Sequence, residues 1–287
     1  MKPIPLLGLN DPISSLSHLS MVLLCFVAAG FLLAKARRNK ARMASIIIYS
    51  LCTLYLFSMS GVYHMLPLPS TGRYVLRILD HTAIFLMIAG TFTPIHVLLF
   101  RGLARWIILI PVWVISITGI VLTSVFFDDL SSLFVIGMFI FMGWIGIISY
   151  FMMAKVYKKT LPTKYLIGGG LAYTVGALID AFKAPILFHG IFGHHELFHL
   201  LVIIGAAMHW YFIYQFADYP ISSKLILKVT QYPDGQFKIK GKNERIFFWA
   251  NSMDEIRSKI KKWANKNFHP SMRPRTIKLI HLKEEKL

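Results

Sequence analysis

The sequence predicts an all-α integral membrane protein, a seven-transmembrane helix bundle with a small basic α+β C-terminal extension. Composition is the first observation behind this. Hydrophobic residues make up 56% of the 287 and charged residues only 15%, where a globular domain carries about 25% charge. Mean hydropathy is +0.59. The second is a series of apolar runs, each near the roughly 20 residues a helix needs to cross the hydrocarbon. The third is the distribution of charge. Residues 219–287 hold 16 Lys and Arg against 6 Asp and Glu, more than half of the net +18 of the whole chain. A domain boundary is therefore expected near residue 218, with the membrane domain over 1–218 and a soluble tail over 219–287.

Counting apolar runs places the spans near 17–35, 44–66, 79–100, 106–126, 132–154, 166–186 and 197–217. The first is expected to persist as a span. Its charged leader is Lys2 alone, and the run continues into the basic stop AKARRNKAR rather than a cleavage site. Short loops make consecutive helices antiparallel neighbours. Gly168, Gly169, Gly170, Gly176, Gly205, Ala206 and Ala207 supply small residues where helix backbones can approach. Cys25 and Cys52 lie inside apolar runs and point to neither a disulfide framework nor a thiolate metal site.

Loop charge predicts orientation. The loops after the first, third and fifth spans carry Lys35, Arg37, Arg38, Lys40, Arg42, Arg101, Arg105, Lys155, Lys158, Lys159 and Lys164, eleven cations. Lys2, Arg73 and Arg77 make three on the other side, beside the acidic pair Asp128 and Asp129. By the positive-inside rule the C-terminal tail is cytoplasmic in a multi-pass plasma (inner) membrane protein.

The stretch Ser58–Pro94 carries the chemistry. Ser60 and His64 stand one helical turn apart where the second span ends, and Asp80 and His81 open the third. Far downstream HHELFH places His195 and His199, again at i,i+4, where the seventh begins. Ionisable residues inside spans are costly and read as functional by default. His64, His195 and His199 are the candidate ligands of a zinc ion, since three imidazoles and an open fourth position make a catalytic zinc site. Asp80 is the candidate to orient or deprotonate a water, with a helix N-cap as its structural alternative. Ser60 would hydrogen-bond that water or the oxyanion, its alternative being a small packing residue. His18 lies on the correct side to stand behind the ligands. His81 points about 100° away from Asp80 and reads as interfacial. His96 and His209 read as interhelix hydrogen-bonders, and His189 and His194 as loop residues. Asp180 and Lys183, three apart, would neutralise each other or line a polar entrance.

The tail reads as two strands around Pro233-Asp234-Gly235, a helix opened by the capping box Ser252-Met-Asp-Glu255, and a last strand over Arg275–Leu282. Ile256, Ile260 and Trp263 make the apolar stripe of that helix. No residue set in the tail carries chemistry. Its basic surface beside a bilayer fits anionic lipid headgroups, and no nucleic acid is expected as a partner.

The run R-x-x-D-H-T-A-I-F-L-x-I-A-G-T-F-T-P after S-x-x-x-H, here Ser60–Pro94, with the closing H-E-L-F-H of His195–His199, resembles the hemolysin III family. That family sits within the larger group of progestin and adipoQ receptors and alkaline ceramidases. The likeness covers about residues 10–218. It implies a seven-helix bundle with zinc on His64, His195 and His199, polar partners at Asp80 and Ser60, hydrolysis of lipid amides, and a role in membrane homeostasis. The family's first motif has Glu and Asn ahead of a His. Asn10, Asp11 and His18 match it only approximately, which lowers the role expected of Asp11. The receptor relatives imply an orientation opposite to the loop charges. A seven-helix receptor or regulator with structural zinc, or a hemolysin-type membrane-perturbing protein, are the alternatives to a hydrolase.

Overall fold

The computed structural model describes residue 5 and residues 8–37, 39–67, 69–157, 161–218, 224–241, 246–267 and 276–282. All seven expected spans are present as helices long and apolar enough to cross a membrane. They are α1 (Pro12–Ala36), α2 (Lys40–Met65), α3 (Thr71–Leu99), α4 (Leu103–Val125), the pair α5 (Ser132–Trp144) and α6 (Gly146–Val156), α7 (Lys164–Phe182) and α8 (His194–Phe216). α5 and α6 form one span, broken at Ile145 between Gly143 and Gly146.

Side-chain caps set several helix starts. Asn39 accepts from the Arg42 N–H, Ser70 from the Arg73 N–H and Ser131 from the Phe134 N–H, each satisfying a backbone donor left over at a helix N-terminus. The third helix begins at Thr71, eight residues before the apolar run. Its first two turns carry Arg73 and Arg77, which hid them from a hydropathy count. Asp80 therefore lies well inside a helix, and its reading as an N-cap is corrected: Ser70 is the cap.

α3 is the central post. Of its membrane-crossing window 78% is buried, against 17% for α1 and 33% for α4. It packs against α2, α4, α5 and α8, while α1 joins α2 to α8 and closes the ring. Leu23, Phe26, Val27 and Phe31 on α1, with Ile107, Ile110, Val114 and Val121 on α4, face outward as lipid-facing residues do. Small residues permit the closest approaches. A Cβ on Gly169 would stand 2.4 Å from the His209 ring, and one on Gly90 2.7 Å from Cys52 Cβ. Both cysteines are free. His96 pairs with Ser149 Oγ at 2.9 Å and His209 with the Leu166 carbonyl at 3.1 Å, joining α3 to α6 and α8 to α7 as expected.

The tail holds one strand more than expected. β1 (Lys224–Gln231), β2 (Phe237–Gly241), β3 (Phe247–Ala250) and β4 (Thr276–Leu282) form one sheet in the order β3-β2-β1-β4. Only β1 and β4 run parallel, joined through α9 (Met253–Asn267). β3 escaped notice because FFWA is four residues long and lacks alternation. The Pro233-Asp234-Gly235 turn is present, with Gly235 at φ 82. So is the capping box. Ser252 Oγ accepts from the Glu255 N–H, and the Glu255 carboxylate accepts from the Asn251 N–H. That N–H, with Lys259, holds the Glu255 carboxyl below its usual range. Leu227, Val229, Ile239, Ile246, Ala250, Ile256 and Ile260 make the small core between sheet and helix.

Candidate metal centre

Antiparallel packing brings five helix ends to one side of the bundle: the starts of α1, α3 and α8 and the ends of α2 and α7. His64 arrives from the last turn of α2, His195 and His199 from the first turns of α8. Each offers one ring nitrogen, and the three nitrogens lie within 4.8 Å of one another. The i,i+4 spacing on α8 puts His195 and His199 on one face, and helix packing sets the end of α2 beside the start of α8.

Two carboxylates hold the rings from behind. His64 Nδ1 lies 2.9 Å from Asp11 Oδ2, and His195 Nδ1 lies 2.9 Å from Asp180 Oδ1. Each Nδ1–H donates to its carboxylate, so in the neutral ring each Nε2 carries a lone pair. Those two Nε2 atoms face each other at 3.1 Å. Two lone pairs at that distance repel unless a cation or a proton lies between them. Two nitrogens on one tetrahedral zinc, with Zn–N of about 2.0–2.1 Å, stand about 3.3 Å apart. With a third imidazole at hand, the donor set fits a metal ion of this kind. Carboxylates donated to from the far nitrogen are the usual support of metal-ligating histidines.

Asp11 thus takes a part its loose motif match did not foreshadow. Arg73 also donates to Asp11 Oδ2 and to the Leu66 carbonyl, and the Asp11 N–H donates to the His64 carbonyl at 3.0 Å. Burial alone would raise the Asp11 carboxyl; the hydrogen bonds from His64 and Arg73 outweigh it and hold the group below its ordinary value. A carboxylate at the very start of an apolar run was the signal available in the sequence.

Asp180 is likewise a partner of histidines, accepting from both His194 and His195, not of Lys183. Lys183 ends α7 in the left-handed region at φ 55, so the i,i+3 relation of a continuing helix is lost. His194, expected as a loop residue, opens α8. Glu196 accepts from the Gly193 N–H at 2.8 Å and from Ser14 Oγ at 3.2 Å, tying α1 to the start of α8. His18 stacks on His199 with ring centroids 3.9 Å apart.

Beside the ligands lies a cavity of about 920 Å³ that runs through the bundle between α3, α5, α6, α7 and α8. Asp80, Tyr63, His81, Asp180 and His195 line its polar end, and residues such as Ile84, Met87 and Phe198 its length. His195, with 34% of its side chain exposed, is the ligand that meets the cavity; His64 and His199 are buried behind it. Asp80 is close enough for its charge to act on both His64 and His195. Ser60 is buried one turn before His64, off the cavity wall. His81 lines the polar end of the cavity and packs edge-on against Phe127.

The haemolysin-III-related family model matches residues 8–210. The chain belongs to this family. Among its relatives, Hemolysin-3 of Bacillus cereus is 29% identical over 181 residues, which is 61% of this chain and 76% of that protein. The Hemolysin-3 homolog of Bacillus subtilis (strain 168) is 29% identical over 198 residues, 68% of this chain and 88% of the relative. The match to the haemolysin-III-related family ends within α8, so the sheet that follows lies outside it.

The carboxylate behind His64 is open to direct test. Asp11→Asn should weaken zinc binding by about 10- to 100-fold, the usual cost of removing a partner behind a metal-ligating histidine. Competition against a chromophoric chelator would measure it. Unchanged affinity would assign Asp11 to the Arg73 ion pair alone.

Proposed function

We propose that the chain is a zinc-dependent membrane hydrolase acting on a lipid amide, ceramide-like or related bond, with a role in membrane homeostasis. One observation carries the reading. His195 belongs both to the three-imidazole cluster and to the wall of the long apolar cavity, beside Asp80. The cavity is near the upper end of the roughly 300–1,000 Å³ typical of ligand sites. An acyl chain suits its apolar length, and a scissile carbonyl its polar end.

Zinc held by His64, His195 and His199 would supply Lewis acidity, polarising a carbonyl and bringing the pKa of a water down to about 7. The protein's own groups do the rest. Asp80 accepts a proton from the attacking water at its carboxylate and returns it to the leaving amine. Ser60, off the cavity wall, would hydrogen-bond only a water held beside His64. Asp11 and Asp180 hold the imidazoles in the tautomer that presents Nε2. The apolar walls keep bulk water out, which strengthens each electrostatic contact at the polar end.

The test is a panel of amide- and ester-linked lipids given to purified protein in nanodiscs, with and without chelator. Chelator-sensitive release of fatty acid from one lipid class is expected. Absence of turnover across the panel, with one equivalent of zinc retained, would favour structural zinc in a receptor or regulator. The name Hemolysin-3 carried by the relatives fits a membrane-perturbing protein as well. Dye release from liposomes holding the same protein, without lipid breakdown, would select that reading.

A further inference from the structure

We propose that the lysine-rich face of the C-terminal sheet docks on anionic phospholipid headgroups of the bilayer that holds the bundle. Side chains alternate across a strand, so one sheet face is covered by α9 and the other is left open. Lys228, Lys238, Lys240 and Lys278 share that open face with Phe247 and Trp249. Lys240 stands in register between Lys228 and Phe247, and Lys238 between Thr230 and Trp249.

Like charges directly opposite on paired strands are destabilising. Lys228 and Lys240 are such a pair at the centre of the sheet. No Asp or Glu of the described residues enters these rows, and the ion pairs among the described residues of the tail are confined to α9. Among the described residues the sheet itself offers this face no counter-charge. The aromatic residues say what kind of surface would supply it. Trp249 lies on edge strand β3, with Tyr232 packed 5.3 Å away and Lys238 Nζ 5.9 Å from its ring centroid. Indole and phenol rings flanked by lysine suit the headgroup layer, where one end is apolar and the other wet. A sheet that reads single-stranded nucleic acid stacks bases on aromatics in its middle. Here the two central strands set Lys228 against Lys240, and the aromatics lie on the edge strand β3.

The chain also keeps the sheet near the membrane. β1 begins at Lys224 and α8 ends at Phe216, a link that spans at most about 30 Å when fully extended. Trp263 of α9 packs against the core of the bundle. The helix ends and connections on that side of the bundle include Arg37, Lys40, Arg101, Lys155 and Lys164, so sheet and bundle end address the same leaflet. Tethering turns weak headgroup contacts into a high effective concentration.

The experiment is lysine acetylation of the full chain in nanodiscs, read by mass spectrometry. Adding roughly 30 mol% phosphatidylglycerol to phosphatidylcholine should slow labelling of Lys228, Lys238, Lys240 and Lys278 by about threefold or more, with Lys261 and Lys262 unchanged. About 0.5 M salt should remove the difference. Lys228→Glu/Lys240→Glu should lose the protection at Lys238 and Lys278 while keeping the parent's circular dichroism. Equal labelling in the two lipids would overturn the proposal. So would protection that appears only with added single-stranded RNA, which would assign the face to nucleic acid.

Discussion

Detergent-purified protein should carry one zinc ion per chain by elemental analysis, and His199→Ala should carry none after dialysis. His199 is the sharpest choice because it is buried and has no carboxylate of its own, so its loss leaves His64 and His195 with their supports. Two imidazoles then remain for a metal that prefers four ligands. The loss should exceed the roughly 100-fold upper end expected for a supporting carboxylate. Thermal unfolding in the same detergent would check that the variant still folds. Full stoichiometry in His64→Ala/His199→Ala would remove the site altogether.

The second large effect is expected at Asp80. Asp80→Asn should leave zinc binding nearly intact, since the three imidazoles are untouched. What it removes is the charge that accepts a proton, and general-base groups contribute about 10²- to 10⁴-fold. Hydrolysis of the lipid found active should fall by that factor. Asp80→Ala should lose the same activity at no cost in stability, because Ser70 caps α3 and position 80 is helix interior, where Ala is the best former. An Asn variant as active as the parent would make Asp80 structural and require another base.

How much of this was legible follows from what each signal depends on. The spans were readable because hydropathy is local and cumulative. The start of α3 was not, since Arg73 and Arg77 lower the average although a good cap and a helical backbone are present. The convergence of His64, His195 and His199 could be read because i,i+4 spacing and antiparallel packing place them at one end. The supports could not. Asp11 reaches His64 across 53 residues of chain, and the link depends on how the segment before α1 lies along the end of α2. Asp180 was visible as a charge near the end of an apolar run, but the left-handed turn at Lys183 decided its partner. β3 was too short for periodicity to reveal.

The pairing of His64 with His195, 131 residues apart in the chain, has a consequence for biogenesis. A ribosome delivers α2 early and α8 last among the helices of the bundle. Until α8 is in place the growing chain owns one of the three imidazoles, with Asp11 and Arg73 already around it. If this cluster holds the proposed metal, capture would follow only complete insertion, and a chain stalled or cleaved before His195 would stay metal-free. Zinc content would then report how many copies in a membrane have finished assembling, independently of how many are present.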